Sequence, residues 1–441
     1  MTQDVPYPVQ LERKQVTLHE LLRDALGGRA PAVRPAIGLG VDEDGMPWRF
    51  RQKAAFVFGE NPGNPRALVM GHFAAGSQRI VPVETCPVHG QRANRLAFAL
   101  RDQLVKARIP AAGTALDGIL RHVVIRTSRD ESEAVVMLVV TRNDKSLRRP
   151  LRAFLAGPDP PTGLLVNVHY RPGPYMVGDE TIRIAGRASI RENALGPAFL
   201  VSPTAFFQTS PEAAAALLAD VVTQVGAVDD AGTVADLYAG SGLFAVPLAL
   251  GGHTVVAVEE NVQAVRDGET NARLNRVAPD KLRFVRGRVE DAVDRLGRTP
   301  PNVVVLDPPR QGCGAGVIRR VFADLRPARA IYVSCDPVSL ARDLVDITGA
   351  GYAAVRAQPV DMFPHTPHIE SVVTLERTPR LAARGERPAS QRGRGGAPPA
   401  RRDAREYRAV FEEEATQPAG MHRRPNAAGL SPRAAGRGRG R

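Results

Sequence analysis

Toward the C-terminus the run Ile331-Tyr-Val-Ser-Cys335-Asp-Pro337 has strand character and delivers one thiol to a turn. Upstream, Val303-Val-Val-Leu-Asp307-Pro-Pro-Arg310 delivers a carboxylate in the same way. Downstream, Asp361-Met-Phe-Pro-His-Thr-Pro-His368-Ile-Glu370 supplies another. A nucleophile, a polar anchor and a base at the strand ends of one sheet suit chemistry on an electron-poor double bond, where covalent addition splits one hard step into easier ones. Cys335 precedes a helix expected from about Val338, and a helix N-terminus favours the reactive thiolate, while the charge of Asp336 opposes it. Glu370 can take a proton if burial holds its pKa in a useful range.

The elements that must carry these residues alternate regularly. Strands are expected at Thr233–Ala239, Thr254–Glu259, Leu282–Arg286, Asn302–Asp307, Ala330–Ser334, Ala353–Pro359 and Ile369–Arg377, with helices near Leu243–Leu250, Val262–Arg276, Val289–Leu296, Val317–Leu325 and Val338–Gly349. This pattern predicts an α/β fold, a doubly wound and mostly parallel sheet covered on both faces, with ligands at the carboxyl ends of its strands. Before it, alternating runs at Arg49–Gly59, Ala67–Ala74, His122–Thr127, Glu133–Thr141 and Leu164–Arg171 predict a β-rich, mainly antiparallel domain with one helix around Ala93–Ala107. A short amphipathic helix is expected at Thr17–Leu26 and a linking helix at Pro211–Val225, with Ser210 as its N-cap.

Asp236-Leu-Tyr238-Ala-Gly240-Ser-Gly242 follows a strand and opens a helix, so Gly240 and Gly242 allow a nucleotide-like ligand close to the backbone. Glu259 closes the next strand, where an acid can grip both hydroxyls of a ribose. The loop by itself fits adenosylmethionine and NAD equally well. Asp307-Pro-Pro-Arg310 breaks the tie. Dehydrogenases do not need two backbone-fixing prolines there, whereas nucleobase methyltransferases often carry Asp-Pro-Pro-aromatic. Arg310 in the aromatic's place argues against attack by an exocyclic amine and for a charged contact to phosphate or base.

Composition narrows the class. The chain has 441 residues, 43% hydrophobic, with no apolar run long enough to cross a bilayer and no basic-then-apolar leader, so a cytoplasmic soluble protein is expected, with no membrane partner. Cys86, Cys313 and Cys335 are too few for a disulfide framework or a four-cysteine cluster. No pair of histidines has a spacing that suggests a metal site with a third ligand, and no metal is expected. His365 and His368 read as residues that shape the site. Of the net charge of +13, nine units fall in residues 380–441, where 15 arginines face 6 acids among Gly, Pro and Ala. Such a segment is expected to be disordered and to suit phosphate contacts and base stacking, so RNA is the expected partner.

Taken in order, Phe206-Phe-Gln208-Thr, the Asp236–Gly242 loop, Glu259, Asn271-Ala-Arg-Leu-Asn275, Asp307-Pro-Pro-Arg-Gln-Gly312, Ser334-Cys-Asp-Pro337, Leu340-Ala-Arg-Asp343 and the Asp361–Glu370 segment resemble the adenosylmethionine-dependent RNA uracil-5-methyltransferases, which make 5-methyluridine in transfer and ribosomal RNA. The match is strong from Val201 to Arg377 and weaker from Phe50 through Cys86-Pro-Val. The resemblance implies a class I methyltransferase fold, S-adenosyl-L-methionine as cofactor, and RNA as substrate. It makes Cys335 the nucleophile toward carbon 6 of uracil and Glu370 the base at carbon 5, and places Gln208, Tyr238, Gly240, Gly242, Glu259 and Asp307 at the cofactor. Many relatives carry an N-terminal RNA-binding barrel and an iron–sulfur cluster. This chain lacks the barrel, and Cys86 looks like the one remaining cluster cysteine, so no cluster is expected. Leu243, Arg288 and Asp336 stand where relatives often have asparagine.

The domains expected are an N-terminal helical segment (1–46), a β-rich RNA-facing domain (47–200), the methyltransferase domain (201–379) and the Arg/Gly-rich tail (380–441), in a protein acting as a monomer. The resulting reading is methylation of carbon 5 of a uridine in structured RNA, 23S ribosomal RNA before transfer RNA. The alternatives are a 5-methylcytosine enzyme, disfavoured by Arg310 after Pro309, and a non-catalytic RNA-binding or assembly factor of the same fold.

Overall fold

The computed structural model describes residues 3–61, 64–113, 115–172, 176–226, 232–296 and 300–379. The predicted Arg/Gly-rich tail, 380–441, lies outside the described residues.

The chain begins with α1 (Tyr7–Leu26), which starts ten residues earlier than its apolar pattern predicts. Pro8 near its start has the fixed φ and missing N–H that a first helical turn accepts. Lys14 on this helix is buried, so the polar residues before Thr17 hide a core-facing side that periodicity did not expose. The helix packs on α9 (Pro337–Gly349), and the short strand β1 (Ala32–Val33) adds to one edge of the large sheet.

Seven strands then form the β-rich sheet: β2 (Lys53–Asn61), β3 (Asn64–Phe73), β4 (Ile80–Pro82), β5 (Leu120–Thr127), β6 (Ala134–Val140), β7 (Gly163–Val168) and β8 (Glu180–Gly186). Their order is β4-β3-β2-β5-β6-β7-β8, and only β6 and β7 run parallel. That one parallel pair has a physical reason. The crossover between them carries α3 (Arg148–Leu155), which packs beside α2 (Gln91–Lys106) on one face of the sheet. Leu96, Leu100 and Leu104 of α2 meet Val123, Ile125, Val136 and Leu138 there. Residues facing the other way, Val124, Val135, Met137 and Leu165, join one core with Phe199, Phe207, Leu217 and Val221. The β-rich sheet and the following domain therefore share buried apolar surface, which is the main favourable term holding them together.

The hairpin β9 (Ile190–Glu192) and β10 (Phe199–Val201) leads to α4 (Pro211–Gly226) and then to the alternating region. Here β11 (Thr233–Leu237), α5 (Ala245–Leu250), β12 (Thr254–Glu259), α6 (Val262–Leu274), β13 (Leu282–Arg286), α7 (Val289–Ala292), β14 (Val303–Leu306), α8 (Gly314–Ile318), β15 (Arg329–Ser334), α9, β16 (Tyr352–Val360) and β17 (Glu370–Arg377) follow as expected in kind. The eight-stranded sheet has the order β1-β16-β17-β15-β14-β11-β12-β13. This is the class I methyltransferase arrangement. β17 alone is antiparallel to its neighbours, inserted between β15 and β16. The inner strands read as continuous apolar runs because helices cover both faces: Val303 to Leu306 are all fully buried.

Candidate active site

The reversed strand brings the two reactive residues together. β15 ends at Ser334 and β17 begins at Glu370, with Ser334 opposite Ser371 and Val360 opposite Glu370. The residue after Ser334, Cys335, therefore meets Glu370 across an antiparallel pair. Parallel pairing would have carried Glu370 to the far edge of the sheet. The turn at Cys335 is fixed on both sides. Ser334 Oγ accepts from the Asp336 N–H at 3.2 Å and donates to the Asp336 carbonyl at 3.0 Å. Asp336 caps α9 by accepting from the Ser339 N–H at 2.8 Å. Asparagine, the residue common in relatives, has a carbonyl that could fill the same capping role, so this departure costs little structurally.

The sequence expectation that the helix N-terminus lowers the thiol pKa is corrected. Helix α9 starts beyond the Asp336 cap, so Cys335 lies outside its first turn. Burial, followed by the charge of Glu370, pushes the thiol up to about 11, against the pull of the Arg310 guanidinium. Glu370 is 2% exposed. Burial first, and then the charge of Asp307, raises its carboxyl well above the ordinary range, while Arg310 lowers it. Burial also pushes Asp307 up to about 7, and raises fully buried Asp236, with Asp307 adding to that effect. Four acidic groups thus sit at one sheet edge, each resisting ionisation, with Arg310 facing two of them. Such a site favours a cationic ligand.

The glycine loop lies on the neighbouring strand ends. Tyr238, Gly240 and Gly242 all take positive φ, at 64°, 53° and 88°. Nothing lies within 4 Å of where a Gly240 side chain would begin, so the loop leaves open space there. Glu259 closes the loop from β12: one oxygen accepts the Gly240 N–H at 3.0 Å and the other the Asn261 N–H at 2.7 Å. Each oxygen keeps a lone pair for a ligand hydroxyl. Asn271 and Asn275 of α6 have a structural role. Asn271 accepts from Leu200 N–H at 2.9 Å and donates to the Ser241 carbonyl at 3.1 Å, while Asn275 exchanges two hydrogen bonds with the backbone of Ala198. They tie β10 to the loop.

Gln208 is buried in the segment leading to α4, beside Thr209, whose carbonyl accepts the Gln52 N–H at 2.8 Å. Phe206, two residues earlier, is 79% exposed. Cys313 is a buried thiol pushed up to about 12, in a loop held by Asp343, which also accepts the Tyr332 hydroxyl at 2.7 Å. His365 stacks on Trp48 at 4.3 Å between centroids, and one of its ring nitrogens bonds the Pro47 carbonyl at 2.9 Å.

Sequence reasoning missed three features. Arg310 reads in the sequence as a contact to phosphate or base, and in the structure its charge also acts on Cys335 and Glu370; its place three residues after Asp307 was the available signal. Lys14 reaches from α1 to form a buried ion pair with Asp361 at 2.6 Å, and no local pattern announces a partner so far along the chain. Finally, His72, Cys86 and His89 each offer a metal-ligating atom, all within 4.8 Å of one another, which corrects the reading that no histidines share a third ligand. The Cys86-Pro-Val-His89 turn was the sequence signal.

The chain is similar to known RNA methyltransferases. Residues 199–378 match the family model described as tRNA (Uracil-5-)-methyltransferase. An uncharacterized RNA methyltransferase of Gloeobacter violaceus is 34% identical over 381 residues, covering 85% of this chain and 79% of that protein. One of Geobacter sulfurreducens is 34% identical, covering 75% and 67%. Among solved structures, the Pyrococcus abyssi tRNA (uracil-54, C5)-methyltransferase in complex with S-adenosyl-L-homocysteine superimposes with a TM-score of 0.69 at 24% identity, over 84% of this chain and 83% of that one, a likeness of fold.

Proposed function

Since the chain belongs to the RNA uracil-5-methyltransferase family, we propose that it methylates carbon 5 of a uridine through a covalent Cys335–uracil adduct, with 23S ribosomal RNA as its substrate. The methyl donor is S-adenosyl-L-methionine, which supplies the methyl group from a sulfonium cation. The raised carboxylates at the strand ends and the open space at Gly240 suit that cation. Glu259 takes the ribose, and Tyr238, Gly240, Gly242, Asp307 and Gln208 line the rest of the cofactor and base site. Cys335, as thiolate, adds to carbon 6, and the ring electrons move onto the carbonyl oxygen at carbon 4. Carbon 5 is then nucleophilic enough to take the methyl group. Glu370 removes the remaining hydrogen of carbon 5 as a proton, and the electrons of that bond rebuild the ring double bond as the sulfur leaves. The target base must first swing out of its stack, at a cost of roughly a few kcal/mol.

The observation that carries this reading is the antiparallel meeting of Cys335 with Glu370 beside Arg310. A merely RNA-binding descendant of the fold has no need of a thiol and a carboxylate held face to face. The test is trapping on RNA containing 5-fluorouridine, which has no hydrogen for Glu370 to remove. A protein–RNA adduct stable to denaturation is expected, and it should be absent with Cys335→Ala. Methyl transfer surviving in Cys335→Ala refutes the nucleophile. The support for the ribosomal target is the sequence resemblance, in which Phe206-Phe-Gln-Thr and the Phe363-Pro-His-Thr segment look closer to the ribosomal branch. Mapping 5-methyluridine in cells lacking the gene decides it, and a loss confined to transfer RNA overturns that part.

A further inference from the structure

Outside the methyl-transfer site, the structure gathers two imidazoles and a thiol at one end of the β-rich sheet. His72 lies on β3, opposite Val81 of β4, while Cys86 and His89 lie on the turn entering α2. One ring nitrogen of each histidine and the Cys86 sulfur lie within 4.8 Å of one another. We propose that these three side chains form a binding site for a zinc-type divalent ion, with water in the fourth position, that ties the β3–β4 ribbon to the α2 turn.

Three observations support it independently of the spacing. First, Nε2 of His72 and Nδ1 of His89 are buried without a hydrogen-bond partner. Leaving a buried polar atom unpaired costs about 1–3 kcal/mol, and coordination removes that cost. Second, Cys86 is a free, half-buried thiol in that turn, so its sulfur is available to a ligand. Third, the turn is locked from α2. Asn94 accepts the Cys86 N–H at 2.9 Å and donates to the carbonyls of Cys86 and His89 at 3.0 and 3.2 Å. A pre-set turn needs little ordering on binding.

The competing account is plain aromatic packing. Phe56 stacks on His72 at 4.9 Å and meets His89 edge-on at 5.1 Å between centroids. Packing uses the ring faces, however, and phenylalanine would supply them without stranded nitrogens. Two imidazoles and a thiolate form a donor set suited to tetrahedral zinc, with Zn–N near 2.1 Å and Zn–S near 2.3 Å, so the donors must close in by about 1 Å. Arg51 opposes a cation here. Its guanidinium lies near both imidazoles and the Cys86 sulfur, so the thiolate must offset its charge. Arg51 also links this turn to the other site: its backbone N–H donates to Val88, and the next residue, Gln52, donates to Thr209 beside Gln208.

The test uses the full chain, stripped with a chelator and titrated with Co2+. One equivalent should bind with thiolate-to-cobalt charge-transfer absorption, and Zn2+ should displace it. Cys86→Ala should abolish the band. His72→Phe/His89→Phe, which keeps the ring stack and so should still fold, should weaken Co2+ binding by more than roughly tenfold and lose any Zn2+-dependent rise in Tm. Arg51→Gln should tighten binding. A folded wild-type chain with no charge-transfer band overturns the proposal, as does a band that persists in Cys86→Ala. Full Zn2+ stabilisation of the double phenylalanine variant does so too, leaving packing as the histidines' role.

Discussion

Among the described residues Arg310 is the cation that favours ionisation of both Cys335 and Glu370, so replacing it separates an electrostatic role from an RNA-binding one. With the thiol at about 11, only about one molecule in a thousand carries a thiolate at pH 8 before substrate binds. An opposite charge within hydrogen-bonding reach typically shifts a pKa by 1–3 units. Cys335 is only partly buried, so solvent screening holds the expected shift to about 1–2 units. Arg310→Met should then lower the single-turnover methylation rate at pH 8 by roughly 10–100-fold, about 1.4–2.7 kcal/mol. The alkaline rise of the rate should move up by the same 1–2 units, while Arg310→Lys should recover much of both. The assay is methyl transfer from labelled S-adenosyl-L-methionine to RNA at saturating concentrations, followed across the neutral-to-alkaline range. A lowered rate with an unshifted pH profile, or a defect confined to the KM for RNA, would falsify the electrostatic assignment and return Arg310 to phosphate recognition.

Four further outcomes follow from the same geometry. Glu370→Gln keeps the buried shape but cannot accept the carbon 5 proton, so a covalent adduct should accumulate on ordinary uridine RNA, seen as a denaturation-resistant gel shift; normal turnover contradicts the role. Lys14→Met leaves Asp361 buried without its cation and should destabilise the protein by about 3–5 kcal/mol in denaturant unfolding, with a loss under 1 kcal/mol counting against it. Burial lowers His89 to about 3 and His122 to about 4, so both fold as neutral rings. The stability they support is present above the ordinary imidazole pKa and is lost as pH falls below it, roughly 2 kcal/mol each at pH 5, measurable as a falling urea midpoint. Asp307 ionises near 7, so the preference for S-adenosyl-L-methionine over its uncharged-sulfur product should grow as pH rises through that value; a flat ratio by calorimetry contradicts it.

The alternating half of the fold was legible because each inner strand is a short apolar run with a polar or thiol residue at or beside its end: Asp236, Glu259, Asp307, Cys335. Covered faces make strands apolar throughout, and ligand-facing ends make their last residues polar. The same logic located the site. It did not reveal the direction of β17, since an apolar run reads identically either way, nor the partners that join through space alone. Lys14 looks like a solvated helix residue until Asp361 is placed against it. The thiol's pKa was misjudged for a related reason. A helix terminus is visible in sequence, but the competing burial and the neighbouring Glu370 depend on the reversed strand.

That reversal also explains how one sheet edge can hold the proposed nucleophile and the proposed base without either disabling the other. In an all-parallel sheet every carboxyl end comes from a different strand and is followed by a crossover, so two residues at adjacent ends are separated by the sheet spacing and by separate loops. Setting an antiparallel strand beside β15 brings a strand start against a strand end, and the residues one step beyond the shared register, Cys335 and Glu370, meet directly. Burial, followed by the charge of Glu370, raises the thiol's pKa, and Arg310, from the loop after β14, is placed to offset it. In the proposed reaction the resting site holds Cys335 and Glu370 protonated, and a bound sulfonium supplies the additional positive charge that favours ionisation.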